Sequence, residues 1–143
     1  MHAILITMSP KRLAQCQEDP DTLADVVEAR LETEIPGLLD LGTAWNALDV
    51  LLSDGGKDAV LGDAVLARSG EPFDSEFRSA RLLSPARVTE VAKKLEGLKV
   101  NAVIERHEGD PEEGEALALL LKRVIALYSA AAKSKHSLMA LLV

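Results

Sequence analysis

The sequence is poor in aromatic side chains, has one cysteine, and contains no apolar run of membrane-spanning length. Each scarcity excludes something. Phe, Trp and Tyr make up 3% of 143 residues, so the core must be aliphatic. Trp45, Tyr128, Phe73 and Phe77 are too few to build a stacking platform for nucleic-acid bases. The lone Cys16 forms no disulfide within the chain, and a reducing cytoplasm is the expected compartment. Met1 to Ile6 has no basic start and is too short for a signal peptide. No run approaches the roughly 20 apolar residues that a membrane span needs. Lys and Arg number 16 against 23 Asp and Glu, a net charge of −7. That excess argues against general affinity for nucleic acid or an anionic membrane. The GxSxG elbow, the P-loop, GxGxxG, HExxH and CxxC are all missing.

The apolar fraction, 48%, is that of a globular protein. A chain of this length is expected to form one domain over 1–143, burying roughly two thirds of its unfolded surface without disulfide or metal. The organising stretch is the last third. Leu117, Leu120, Leu121, Val124, Leu127, Tyr128 and Ala131 recur at helical spacing and form one apolar stripe. Glu112, Glu113 and Glu115 sit at its N-terminal end and Lys133 and Lys135 near the other, as the helix dipole favours. Leu138 to Val143 is an unbroken apolar run, which predicts a strand covered on both faces. His2 to Met8 reads the same way.

Between these ends, Ser9-Pro10, Asp19-Pro20 and Ser84-Pro85 each predict a helix start: a capping oxygen, then proline at the first helical position. The first opens a short helix to Glu18. The second opens a helix carrying Leu23, Val26, Val27 and Leu31, ended by Pro36-Gly37. The third opens a helix carrying Val88, Val91, Ala92, Leu95 and Leu98, followed after Gly97 by a helical Val100–Ile104. Leu38 to Leu41 reads as a connection. Thr43 is expected to cap a helix bearing Trp45, Leu48, Leu51 and Leu52. Asp54-Gly55-Gly56 is a turn, Ala59 to Leu66 a short helix, and Ala80 to Leu83 a strand. Arg68–Arg78 and Glu105–Glu115 are expected loops. The predicted class is α+β: a small sheet formed by strands near both chain ends, covered by several amphipathic helices.

The order of Leu39-Asp40-Leu41-Gly42-Thr43-Ala44-Trp45, Ala59-Val60-Leu61-Gly62, Ala80-Arg81-Leu82-Leu83-Ser84-Pro85 and Leu127-Tyr128-Ser129-Ala130-Ala131 resembles the YfbM-like family of bacterial domains of unknown function. The likeness covers most of the chain and is weakest before Leu39. It implies a small α+β domain and brings no established activity with it.

Three groups of residues are candidates for a site. Trp45 with Asn46 and Asp49 would bind a polar ligand if Trp45 lined a cleft. Its shared face with Leu48 and Leu52 favours an inward anchor instead. Arg78, Arg81, Arg87, Lys93 and Lys94 surround the Ser84-Pro85 helix start, where an anion site competes with a solvated face that pairs Arg81 with a carboxylate. The acidic stretch with Glu105, His107, Glu108, Asp110, Glu112 and Glu113 lacks EF-hand spacing, and no metal or other cofactor is expected there.

The leading expectation is a non-catalytic protein-interaction module of the inhibitor or immunity type, acting on a basic protein partner as a monomer or homodimer. The competing one is a small-molecule-binding protein or enzyme with a cleft near Trp45 and Arg81, using Trp45, Asn46, Asp49, Arg81 and Arg87 as ligand-binding residues. No catalytic residue is assigned.

Overall fold

A computed structural model describes residues 1–143. The strands β1 (Ala3–Met8) and β5 (Ser137–Leu142) run antiparallel side by side, with Leu5 opposite Ala140 and Ile6 opposite Met139. The ladder continues past them, where His2 and Val143 exchange both backbone hydrogen bonds at 2.8 and 2.9 Å. β2 (Leu38–Asp40) pairs with the free side of β1, β4 (Arg81–Leu83) with that of β5, and β3 (Glu71–Pro72) with β4. The result is an antiparallel sheet in the order β2-β1-β5-β4-β3.

Successive residues of a strand face opposite sides of a sheet, so each central strand feeds two cores. Ala3, Leu5, Leu138 and Ala140 join the larger one, while Ile4, Ile6, Met8, Met139 and Leu141 join the smaller. The larger core is covered by α3 (Trp45–Ser53), α4 (Asp63–Leu66), α5 (Pro85–Glu96), α6 (Val100–Ile104) and α7 (Pro111–Lys133). The smaller lies under α1 (Pro10–Glu18) and α2 (Asp21–Ala29), through Cys16, Leu23 and Val27. The fold is mixed α+β, with strands from both chain ends at the sheet's centre. Burial on both faces is why neither central strand alternates apolar with polar residues.

Local chemistry sets three of the helix starts. The hydroxyls of Ser9 and Ser84 accept from the N–H groups of Arg12 and Arg87 at 3.1 and 3.2 Å, each ahead of a proline at the first helical position. Asp110 does the same for α7, accepting from Glu113 N–H at 2.9 Å. Leu117, Leu121, Val124, Tyr128 and Ala131 form the buried stripe of α7, with Leu120 and Leu127 half-buried beside it.

Several expectations differ from the structure. Leu38–Asp40 is an edge strand rather than a connection. Gly37, at φ +76°, brings it against β1, where a Cβ would lie 2.2 Å from the Thr7 hydroxyl. The helix expected to run to Pro36 ends at Ala29, where the Arg30 guanidinium turns back onto the Val27 carbonyl and Asp40. Thr43 is exposed and caps nothing. A 3-10 turn at Gly42–Ala44, pinned by the Asp40 carboxylate on Gly42 N–H at 2.8 Å, leads into α3. Only Asp63–Leu66 of the Ala59–Leu66 run is helical, because the Asp58 carboxylate holds the Val60 and Leu61 N–H groups in a turn. The expected loop Glu105–Glu115 is shorter, since α7 begins at Pro111.

Candidate functional site

The turn after α3, the single turn of α4 and the start of α5 enclose a cleft of about 690 Å³. Its wall is polar. Val50 and Ala59 are its apolar members, against Asp49, Ser53, Asp58, Asp63, Arg68, Ser69 and Arg87. Asp54, Gly55 and Gly56 all have positive φ and turn the chain sharply away from α3, so the cleft mouth there is bare backbone.

Asp63 lies at the base of this network, 1% exposed. Its carboxylate accepts from Arg87 Nε at 2.7 Å, from Ser69 N–H at 2.8 Å and from the Ser69 hydroxyl. The chain after α4 can fold back over Asp63 because Ala67 adopts a left-handed conformation (φ 50°) and closes the turn onto the Asp63 carbonyl. Beneath it, the hydroxyl of the fully buried Tyr128 donates to the Ala64 carbonyl at 2.8 Å. Burial, reinforced by the negative charge of Asp63, pushes that phenol far above its ordinary pKa. The Arg87 guanidinium gains from its hydrogen bond and charge pairing with Asp63, which raise its pKa further. It also reaches Glu90 at 3.1 Å and the Ala59 carbonyl at 3.3 Å.

Asp49, 4% exposed, holds Arg68 in a two-pronged pair. Arg68 donates as well to the Gly62 carbonyl at 3.1 Å, yet half of its side chain remains open to solvent. A Cβ at Gly62 would lie 3.0 Å from the Asp58 carbonyl and 3.7 Å from the Arg68 guanidinium, so the close packing here suits glycine. Asp58 bonds Lys94 at 3.2 Å. Burial pushes its carboxyl up, but the Leu61 N–H, Lys94 and the Val60 N–H together hold it below the ordinary value. No buried polar side-chain atom lacks a partner. That matters energetically, because removing one member of a buried ion pair typically costs about 3–5 kcal/mol.

Of the residues expected at a site, Asp49 and Arg87 share this cleft. Trp45 and Asn46 are not in its wall. Trp45 is half-buried against the larger core and donates its indole N–H to the Met1 carbonyl at 3.1 Å, while Asn46 is exposed. Arg81 lies in an adjacent depression and meets no carboxylate; it donates to the Gly70 carbonyl at 3.1 Å. The cleft therefore does not run from Trp45 to Arg81. Sequence reasoning missed Asp63, Arg68 and Ser69. Asp63 did carry a signal, as an isolated carboxylate inside the apolar run Ala59–Leu66, where burial demands a partner. In the acidic stretch, His107 pairs with Glu113 at 3.2 Å and Asp110 caps α7. No group of three or more His, Cys, Asp and Glu side chains is placed to hold a metal ion. No helix is long and apolar enough to cross a membrane.

Comparison with known proteins bears on the fold. Residues 1–141 match the family model described as a domain of unknown function, DUF1877. No curated protein matches the chain. Its structure is similar to the crystal structure of YfbM, a protein of unknown function from Escherichia coli, with a TM-score of 0.68 at 16% identity over 100% of both chains.

Proposed function

The chain belongs to the DUF1877 family of domains of unknown function, and on that footing we propose that it is a small-ligand-binding domain, one YfbM-like unit over residues 1–143. The cleft between α3, α4 and α5 takes a small polar molecule. One observation carries this reading: two buried carboxylates, Asp49 and Asp63, each locked by an arginine, converge on one wall. Burying charge is costly, and a concave site with a few convergent polar groups is where ligands bind. Arg68 supplies exposed donors at the rim, Asp58 acceptor oxygens, and the Gly55-Gly56 turn open backbone. The buried, unpaired Cys16 agrees with a reducing cytoplasm.

The test is a thermal-shift screen of small polar metabolites on the full chain, paired with Val50→Trp. Val50 is 56% exposed at the cleft edge, so an indole there fills the cleft without entering the core. A compound that stabilises the wild-type protein and loses that effect in the correctly folded variant is expected. A wild-type protein that responds to nothing in the screen, or a variant that responds equally, overturns the reading.

A second reading, the non-catalytic inhibitor- or immunity-like module, is favoured by a different surface. Glu18, Asp19, Asp21, Asp25, Glu28, Glu32 and Glu34 are exposed along α1, α2 and the turn after them, and Leu31 in that turn is 73% exposed. None of these carboxylates joins an ion pair. Such a run suits a basic protein partner, held by charge and by an apolar contact at Leu31. Binding of that kind weakens with salt and with Asp25→Lys and ignores Val50→Trp, which separates it from the cleft.

A further inference from the structure

Beside the cleft, across Arg68, lies a smaller depression of about 320 Å³. Its charged lining consists of Arg68, Arg78 and Arg81, with no carboxylate in the wall. In a chain of net charge −7, such a concentration of one sign stands out. Arg78 and Arg81 form no ion pair anywhere in the structure, and the charge of Arg68 is offset by Asp49. Two positive charges are therefore left uncompensated.

The surroundings strengthen them. Half of the lining residues, Leu66, Ala140, Leu141 and Leu142, are apolar, and charges beside such a wall are screened less than in open water. Arg81 is oriented by the Gly70 carbonyl. Gly70 itself is packed so tightly that a Cβ would fall 2.8 Å from the Leu82 carbonyl. Ser79, also in the wall, is committed to Leu142, accepting from its N–H at 2.8 Å and donating to its carbonyl at 3.3 Å. That leaves the guanidinium groups as the donors facing a guest.

We propose that this depression binds a phosphoryl dianion, free or as the terminal group of a small phosphate monoester. Two uncompensated charges match a group carrying about −1.5 to −2 at neutral pH, where a carboxylate brings only one. Planar guanidinium forks fit tetrahedral oxyanions through paired hydrogen bonds. The site goes beyond the cleft proposal and does not depend on it.

The full chain is titrated at low ionic strength and pH 8 with inorganic phosphate, with glycerol 3-phosphate and with acetate, by calorimetry or NMR shift. Saturable binding of the phosphates, much tighter than of acetate, is expected. Equal affinity for both phosphates assigns the site to free phosphate; tighter ester binding assigns it to a phosphorylated small molecule. Arg78→Ala, at an exposed residue with no structural bond to lose, weakens binding about tenfold, the value of one charge-assisted hydrogen bond. Adding Arg81→Ala abolishes it, and Val50→Trp leaves it unchanged. Lowering the pH to 5, where the phosphoryl group takes up its second proton, weakens it as well. The proposal fails if the wild-type protein binds no phosphate saturably, if acetate competes equally, if Arg78→Ala has no effect, or if Val50→Trp removes binding.

Discussion

Tyr128 stands in the C-terminal third of α7 with no exposed surface, and its hydroxyl donates to the carbonyls of Ala64 at 2.8 Å and Asp63 at 3.3 Å. It is the only tyrosine, so its titration can be followed without overlap. Its folded pKa is raised, first by burial and then by Asp63. The stability it contributes is therefore complete below the ordinary tyrosine pKa of 10.0 and is lost as pH climbs above that value. In an alkaline ultraviolet titration, the phenolate signal should appear only together with loss of the circular dichroism of the fold. Tyr128→Phe, which leaves the buried Ala64 carbonyl without the phenol's hydrogen bond, should cost about 1–3 kcal/mol in denaturant unfolding. At this scale the sequence was half legible. Asp49 and Arg87 stood out as polar residues on helices, but their partners Arg68 and Asp63 lie 19 and 24 residues away. Spacing along one helix reveals nothing about a bond made through a loop.

Whole elements were more legible where local chemistry decides them. Ser9-Pro10 and Ser84-Pro85 predict helix starts because cap and proline act within one turn, and both cap as expected. Asp19-Pro20 looks alike but behaves differently. The Asp19 carboxylate accepts from Asp21 N–H at 3.1 Å, two residues on, which is the geometry of a turn. Asp110-Pro111 carries the same signature and was obscured by the acidic residues around it. Asp110→Ala should therefore destabilise the protein by about 1 kcal/mol, as loss of a helix cap does, measured as a lower denaturation midpoint with unchanged slope. A cost near zero would mean that the start of α7 is held by packing alone. β2 went unread, and the helix expected over Ala59–Leu66 was drawn too long, for a different reason. Elements of three and four residues have no periodicity of their own, and each exists through its neighbours: β1 for the strand, the Asp58 turn and the Tyr128 hydroxyl for the helix.

For the molecule as a whole, the strands from the two chain ends are its spine. β1 and β5 pair at six positions from Ala3–Leu142 to Met8–Ser137. Every helix packs on one side or the other of the sheet they centre. The polar cleft sits on the side of the larger core, roofed by short, turn-rich segments and fastened by two arginine–carboxylate pairs to α3, α4 and α5. The arginine depression reaches the end of β5 itself through Ala140, Leu141 and Leu142. This architecture was readable because unbroken apolar runs such as Ile4–Ile6 and Leu138–Leu142 require cover on both faces. The strand order was not, because it is set by partners distant in sequence.

Native-state hydrogen exchange resolved by residue tests this spine directly. The amides of Ile4 to Ile6 and of Met139 to Leu141 should be among the slowest in the protein, exchanging only through global unfolding, while Gly55 to Lys57 exchange early. Fast exchange at both central strands, at rates like those of the Gly55-Gly56 turn, would contradict it.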